Sequence, residues 1–173
     1  MAVIIDGKKI SDEIKEEMRK RVEDLKKKGV IPKLVIILIG ENPTSQIYVK
    51  NKINACNRVG IAAEIVKFPS ATTDEIVASL KKINDDHKVH GIITQLPFPL
   101  NIDENAVLSS INPKKDVDCL NPLNAGRLAL GIDTIGPCTP KGIIRLLDYM
   151  DIDIDGKGVV IINRSRIVGK PLS

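Results

Sequence analysis

At 173 residues the chain is long enough for one complete core and a piece of another. Its hydrophobic content of 43% beside 28% charged residues is that of a soluble globular protein, and no apolar run approaches the roughly 18 residues of a membrane-spanning helix. The formal charge of +4 is spread among interleaved acids and bases, and two Phe, two Tyr and no Trp leave no aromatic platform for nucleic acid, so a small anionic ligand is the expected partner.

The opening MAVIIDGKK carries neither a secretory nor an arginine-rich transit pattern. Cys56, Cys119 and Cys138 are odd in number, widely spaced and without a C-x-x-C, so neither a disulfide framework nor a metal site is expected, and the cytoplasm fits best.

In chain order, a short apolar strand is expected at Val3 to Ile5. A helix follows from about Ser11 to Lys28, with Ile14, Met18, Val22 and Leu25 on one face, Asp12 and Glu13 in its first turn and Gly29 as a stop. Leu34 to Ile39 is a continuous apolar run, which suits a strand of a parallel sheet covered on both faces. A helix from about Thr44 to Val59 and a strand near Ala63 to Phe68 come next. Thr72 and Glu75 then form a capping-box pair ahead of a helix whose apolar face is Ile76, Val77, Leu80 and Ile83. The strand Gly91 to Gln95 ends in Leu96-Pro97-Phe98-Pro99, which cannot continue a sheet. Strands alternating with helices predict an α/β fold, a three-layer domain with a mainly parallel sheet whose ligand sits beyond the carboxyl ends of the strands, where Gln95 lies.

Past Pro113 the periodicity weakens. It resumes at Thr139-Pro140, a cap residue followed by proline at the first helical position, and the helix carries Ile143, Ile144, Leu147 and Met150. Gly156-Lys157-Gly158 and a strand from Val159 to Ile162 follow. One helix and one strand cannot complete a doubly wound sheet, so 139–173 reads as the start of a truncated Rossmann-like nucleotide-binding domain whose remainder is absent, and 1–138 as the first domain.

Tyr48 and Lys52 are four residues apart on a helix and so share a face: a solvated pair, or a ring and an amine converging on one ligand. Gln95 offers a donor and an acceptor, for the proline-rich loop or for a site. Asp116 and Asp118 are two apart in a segment read as extended, and only one is expected to reach a given pocket, to hold an amino-heterocycle or to cap a turn. His87 and His90 read as surface residues. Asn163-Arg164-Ser165 through Gly169 follows the last strand, where a dinucleotide's phosphates would meet a turn and a helix N-terminus. An ordinary basic turn is the alternative, and Arg164 would favour NADP over NAD.

Taken together, the chain resembles the bifunctional methylenetetrahydrofolate dehydrogenase/methenyltetrahydrofolate cyclohydrolase family. The residues that carry it are Gly40-Glu-Asn-Pro43, Ser45-Gln-Ile-Tyr48-Val-Lys-Asn-Lys52, Gly91 to Pro99, Lys115-Asp-Val-Asp118, Asn121-Pro122, Pro137 to Gly142 and Arg164-Ser165 to Pro171. The resemblance implies a two-domain enzyme with tetrahydrofolate derivatives in the cleft between its domains, NADP as cofactor, and a homodimer in the full-length protein. It implies Lys52 as the principal catalytic residue, with Tyr48 stacking on or orienting the folate and Gln95 positioning Lys52. Asp118 holds the pterin, with Pro97 beside it, and Asn163, Arg164, Ser165 and Cys138 lie on the cofactor side. Cys119 and Asn163 depart from the family in standing where glycine is usual. Asn163 is expected to tolerate a positive φ there. A chain ending at Ser173 is expected to bind NADP poorly and expose apolar surface. The alternatives are a catalytically silent folate-binding or oligomerising fragment, and a folate-independent NADP oxidoreductase using the Tyr-x-x-x-Lys pair.

Overall fold

The computed structural model describes residues 4–173. The strand expected at Val3 to Ile5 therefore begins outside the described residues, and its last two, Ile4 and Ile5, are exposed and lie in no strand.

The Asp6 side chain accepts from Lys9 N at 3.0 Å and caps helix α1 (Gly7–Lys27), which starts one turn earlier than the hydrophobic spacing indicates. Strand β1 (Lys33–Ile39) follows and is the centre of a three-stranded sheet in the order β2-β1-β3, with β2 (Ala62–Phe68) and β3 (Gly91–Gln95) both parallel to it. Helix α2 (Pro43–Val59) joins β1 to β2, and α3 (Thr73–Asp85), opened by the expected Thr72–Glu75 capping box, joins β2 to β3.

The continuous apolar run is explained by what lies on each side of β1. Val35, Ile37 and Ile39 pack with Ile76 and Leu80 of α3 and with Val107 and Leu108 of α4 (Glu104–Ser110), while Ile36 and Leu38 pack with Val49 of α2. The expected three layers are present. Leu80 is fully buried, and truncating it to Ala costs about 2–5 kcal/mol.

Two short helices have no counterpart among the expected elements: α4 lies between the prolyl loop and Pro113, and α5 (Pro122–Ala129) in the stretch past Pro113 where the periodicity weakens. One side chain fastens both: Asn121 Oδ1 accepts from Leu123 N at 2.8 Å and caps α5, while its Nδ2 donates to Ile111 O at 2.9 Å just past the end of α4. Lys115 Nζ donates to Asn84 O (2.6 Å) and Asp86 O (2.8 Å), closing the carboxyl end of α3.

Two expectations are corrected. Helix α6 runs from Cys138 to Tyr149, so Thr139 sits inside it and caps nothing; Pro137 is at the cap position. Val159 to Ile162 forms no strand, and Val159, Val160 and Ile162 are 61%, 87% and 96% exposed. A strand is completed by its neighbours' hydrogen bonds, and among the described residues none lies beside this segment. The chain closes with α7 (Gly169–Leu172). No helix among the described residues is long and apolar enough to cross a membrane.

Candidate active site at the carboxyl ends of the strands

β1 ends at Ile39, and Gly40 turns the chain at φ +77°, a conformation that disfavours any side chain; a Cβ there would also stand 2.9 Å from Pro99 Cγ. The loops after β1 and β3 thus lie directly on one another. Asn42 Oδ1 accepts from Thr44 N (2.9 Å) and Ser45 N (3.1 Å), Pro43 occupies the first turn, and α2 starts against the sheet end.

Lys52 then falls on the helix face toward β3, where its Nζ donates to Gln95 Oε1 at 2.6 Å. Gln95 Nε2 donates to Leu96 O at 2.7 Å. A lysine ammonium has only donors, so the glutamine must present its oxygen to Lys52 and its amide nitrogen to the carbonyl, and both demands are met at once. Lys52 and Gln95 face a cavity of about 160 Å³ together with Asp118, Leu120, Thr94 and the turn residues Ile167 and Val168. Larger grooves of about 470 Å³ beside Ile47 and about 520 Å³ beside Ile144 are mainly apolar, and polar convergence rather than volume singles out the smaller one.

The Lys115-Asp-Val-Asp118 motif divides its labour. Asp116 is 3% exposed; its Oδ1 accepts from Leu120 N (3.1 Å) and Asp118 N (3.4 Å), its Oδ2 from Asn121 N (3.0 Å) and Asn124 Nδ2 (2.9 Å). Asp118, two residues on, borders the cavity because the segment bends instead of running extended as expected, where residues two apart would share a face, and its Oδ1 accepts from Cys138 N at 3.1 Å. That carboxylate, supplied from another loop, does for the first turn of α6 what Thr139 does not. Cys119, the next residue, is buried at φ +56°, a left-handed backbone conformation that glycine favours.

Cys138 is exposed as a residue, but its Sγ lies against Val117 O at 3.9 Å. Desolvation, then the neighbouring Asp118 charge, pushes its thiol up to about 11, with Lys52 and Lys141 pulling weakly the other way. The thiol is protonated at neutral pH and is no nucleophile.

The structure therefore brings together Lys52, Gln95, Asp118 and Cys138. Tyr48 lies one turn before Lys52 and is 57% exposed, outside the cavity wall, and Pro97 is exposed on the loop after β3. Asn163 and Ser165 are engaged within their own turn: Asn163 Oδ1 accepts from Ser165 N (2.8 Å) and Gly169 N (3.1 Å), and Ser165 Oγ from Val168 N (3.1 Å). The tolerance of Asn163 for a positive φ is not called on, since its φ is not positive, and its side-chain oxygen holds the turn. Arg164 is exposed and has no ion-pair partner among the described residues. Thr94, Ile167 and Val168 also line the cavity and carry no signal in the sequence that would single them out, and of the two aspartates weighed it is Asp118, not Asp116, that borders it.

The family described as tetrahydrofolate dehydrogenase/cyclohydrolase, catalytic domain, matches residues 5–118, and the accompanying NAD(P)-binding domain matches residues 137–173. A bifunctional protein FolD of Nautilia profundicola is 45% identical over 98% of this chain and 60% of its own length. Among solved structures, a bifunctional FolD methylenetetrahydrofolate dehydrogenase/cyclohydrolase from Campylobacter jejuni superposes with TM-score 0.96 at 43% identity, over 98% of this chain and 61% of that one. The Trypanosoma brucei enzyme, solved with NADP cofactor and inhibitor, gives 0.94 at 36%, over 99% of this chain and 59% of that one. The chain thus spans about 60% of the length of the relatives it matches. On this match of sequence and fold, the chain belongs to the tetrahydrofolate dehydrogenase/cyclohydrolase family.

Proposed function

We propose that this chain is the folate-handling part of an enzyme that oxidises 5,10-methylenetetrahydrofolate with NADP and hydrolyses the resulting 5,10-methenyltetrahydrofolate to 10-formyltetrahydrofolate. The observation that carries it is the Lys52–Gln95 hydrogen bond of 2.6 Å facing a cavity shared with Asp118. We take residues 1–138 as the folate domain and 139–173 as the start of the nucleotide domain, in a cytoplasmic homodimer when full length, feeding one-carbon units to purine biosynthesis.

In this scheme Asp118 accepts hydrogen bonds from the pterin's amino and ring N–H groups, and the Tyr48 ring covers the folate from the helix face, with Pro97 on the opposite loop. NADP supplies the hydride acceptor. The exposed Arg164 would hold its 2′-phosphate, with Ser165 and Asn163 shaping the turn that carries Arg164 and Cys138 in the first turn of α6 on the cofactor side. In the hydrolytic step water adds to the methenyl carbon and one of its protons leaves to solvent. Lys52 Nζ then donates a proton to N5 as the carbon–N5 bond breaks, and the hydroxyl proton returns to Lys52 Nζ as the formyl carbonyl forms. Gln95 Oε1 holds the amine in line throughout.

Lys52→Met tests this. Purified wild-type chain is expected to bind tetrahydrofolate and hydrolyse methenyltetrahydrofolate; the variant is expected to bind but lose about 10²–10⁴-fold in rate. Near-wild-type hydrolysis by the variant removes Lys52 from the chemistry. A second possibility, folate binding without turnover by this chain, is favoured by the exposed Val159 to Ile162 segment, and binding with no detectable reaction in the wild type selects it.

A further inference from the structure

Arg166 lies in the basic turn between the exposed Arg164 and the cavity-lining Ile167 and Val168, and it has no part in the scheme above. Its guanidinium reaches across the chain to α4, where Nη2 donates to Glu104 Oε1 and Nη1 donates to Asn105 Oδ1 at 3.4 Å. Among the described residues these are the only hydrogen bonds that join the turn 163–169 to residues 1–138.

The surroundings of the turn make that link decide where it sits. The turn is stiff within itself: Asn163 Oδ1 ties Ser165 N to Gly169 N, Ser165 Oγ accepts from Val168 N, and a Cβ on the buried Gly169 would stand 2.1 Å from Asn163 O. The residues leading into it, 158–162, form no hydrogen bond with the rest of the chain among the described residues, and α7, which follows it, packs on α6. Neither flank fixes the turn relative to the sheet. The anchor is firm by contrast. Val107 and Leu108 of α4 belong to the core around β1, and Asp103 N donates to Thr73 Oγ1 at 3.0 Å where the helix begins. With side chains 57% and 34% exposed, the Arg166–Glu104 pair adds little to stability, so its consequence is one of position.

We infer that Arg166 is a positioning residue, which docks the turn on α4 and thereby sets Ile167 and Val168 in the wall of the cavity shared with Lys52, Gln95 and Asp118. The inference rests on the cavity being the folate cleft. With the turn docked, two apolar side chains cover the bound ring; with the turn undocked, the cleft opens on that side and the ring loses that cover. The two arginines then act in opposite directions, Arg164 outward to the cofactor and Arg166 inward to the folate domain.

The test uses the 173-residue chain and tetrahydrofolate as the probe, by calorimetry, with Arg166→Glu, Glu104→Arg and both exchanges together. Each single reversal sets like charges against each other and is expected to weaken binding about three- to fivefold, while the urea midpoint moves by about 0.5 M or less. The double exchange restores opposite charges and is expected to bind within about 1.5-fold of wild type. Affinity lost without a matching loss of stability, and regained on exchange, separates positioning from a general effect on folding. Single reversals that bind as tightly as wild type, or a double exchange as weak as the singles, overturn the role of Arg166 and leave the folate assignment standing. Failure of folded wild type to bind tetrahydrofolate overturns the folate assignment and the role of Arg166 with it.

Discussion

Replacing Asp116 with asparagine removes one oxygen from a buried side chain that organises its whole loop. Its two carboxylate oxygens receive four N–H groups, and either amide orientation sets an NH₂ against two of them. With the group 3% exposed, solvent cannot easily take over. Each donor deprived of a charged acceptor costs about 1–3 kcal/mol, so D116N is expected to destabilise by about 3 kcal/mol, the weaker 3.4 Å contact setting the low side. With a urea slope of about 2 kcal/mol per molar, that moves the unfolding midpoint down by about 1.5 M. Circular dichroism during urea titration reads it directly, and tetrahydrofolate affinity should fall as well, since the same loop presents Asp118. A midpoint lowered by less than about 0.3 M, with unchanged affinity, refutes the assignment of Asp116 as the organiser of the loop.

Three further outcomes are expected. Gln95→Leu removes the acceptor of Lys52 and should lower kcat for methenyltetrahydrofolate hydrolysis by about 10- to 100-fold with a smaller change in KM; a loss under about threefold shows Lys52 is held by other means. Cys119→Gly relieves about 1 kcal/mol of left-handed backbone strain and gives up a similar amount of burial, leaving stability near wild type, whereas Cys119→Val, β-branched at φ +56°, should cost about 2 kcal/mol; equal midpoints for the two variants argue against the strain. Burial raises the thiols of Cys56 and Cys119, and desolvation with Asp118 takes Cys138 to about 11. A proton held more tightly when folded stabilises fully below the ordinary thiol value of 9.0 and is lost as pH rises toward 11, so stability should decline across that interval and iodoacetamide should label unfolded chain faster than native chain at pH about 8. Equal labelling of native and unfolded protein contradicts it.

Much of the framework was legible because local chemistry and global position agreed. The run Leu34 to Ile39 is apolar on every residue because both faces of β1 are covered, and Thr72 with Glu75 marks the helix start without help from distant residues. Tyr48, Lys52, Gln95 and Asp118 could be selected from spacing and family likeness, and three of the four meet at the cavity. What escaped was decided at a distance. The first turn of α6 is capped by Asp118 from 20 residues away, and Asn121 serves two helices at once, so neither leaves a local signature. Val159 to Ile162 has the composition of a strand, but strand formation belongs to the sheet and not to the segment.

The hydrogen bond from Cys138 N to Asp118 Oδ1 has a mechanical side. It is a 3.1 Å tether between the wall of the cavity and the first peptide of the helix that leads into the nucleotide-side segment. A swing of that helix pulls on the carboxylate, and a guest that reorients the carboxylate pulls on the helix. Together with the contact of Cys138 Sγ on Val117 O, this bond makes the orientation of α6 and that of the Asp118 side chain a single mechanical variable.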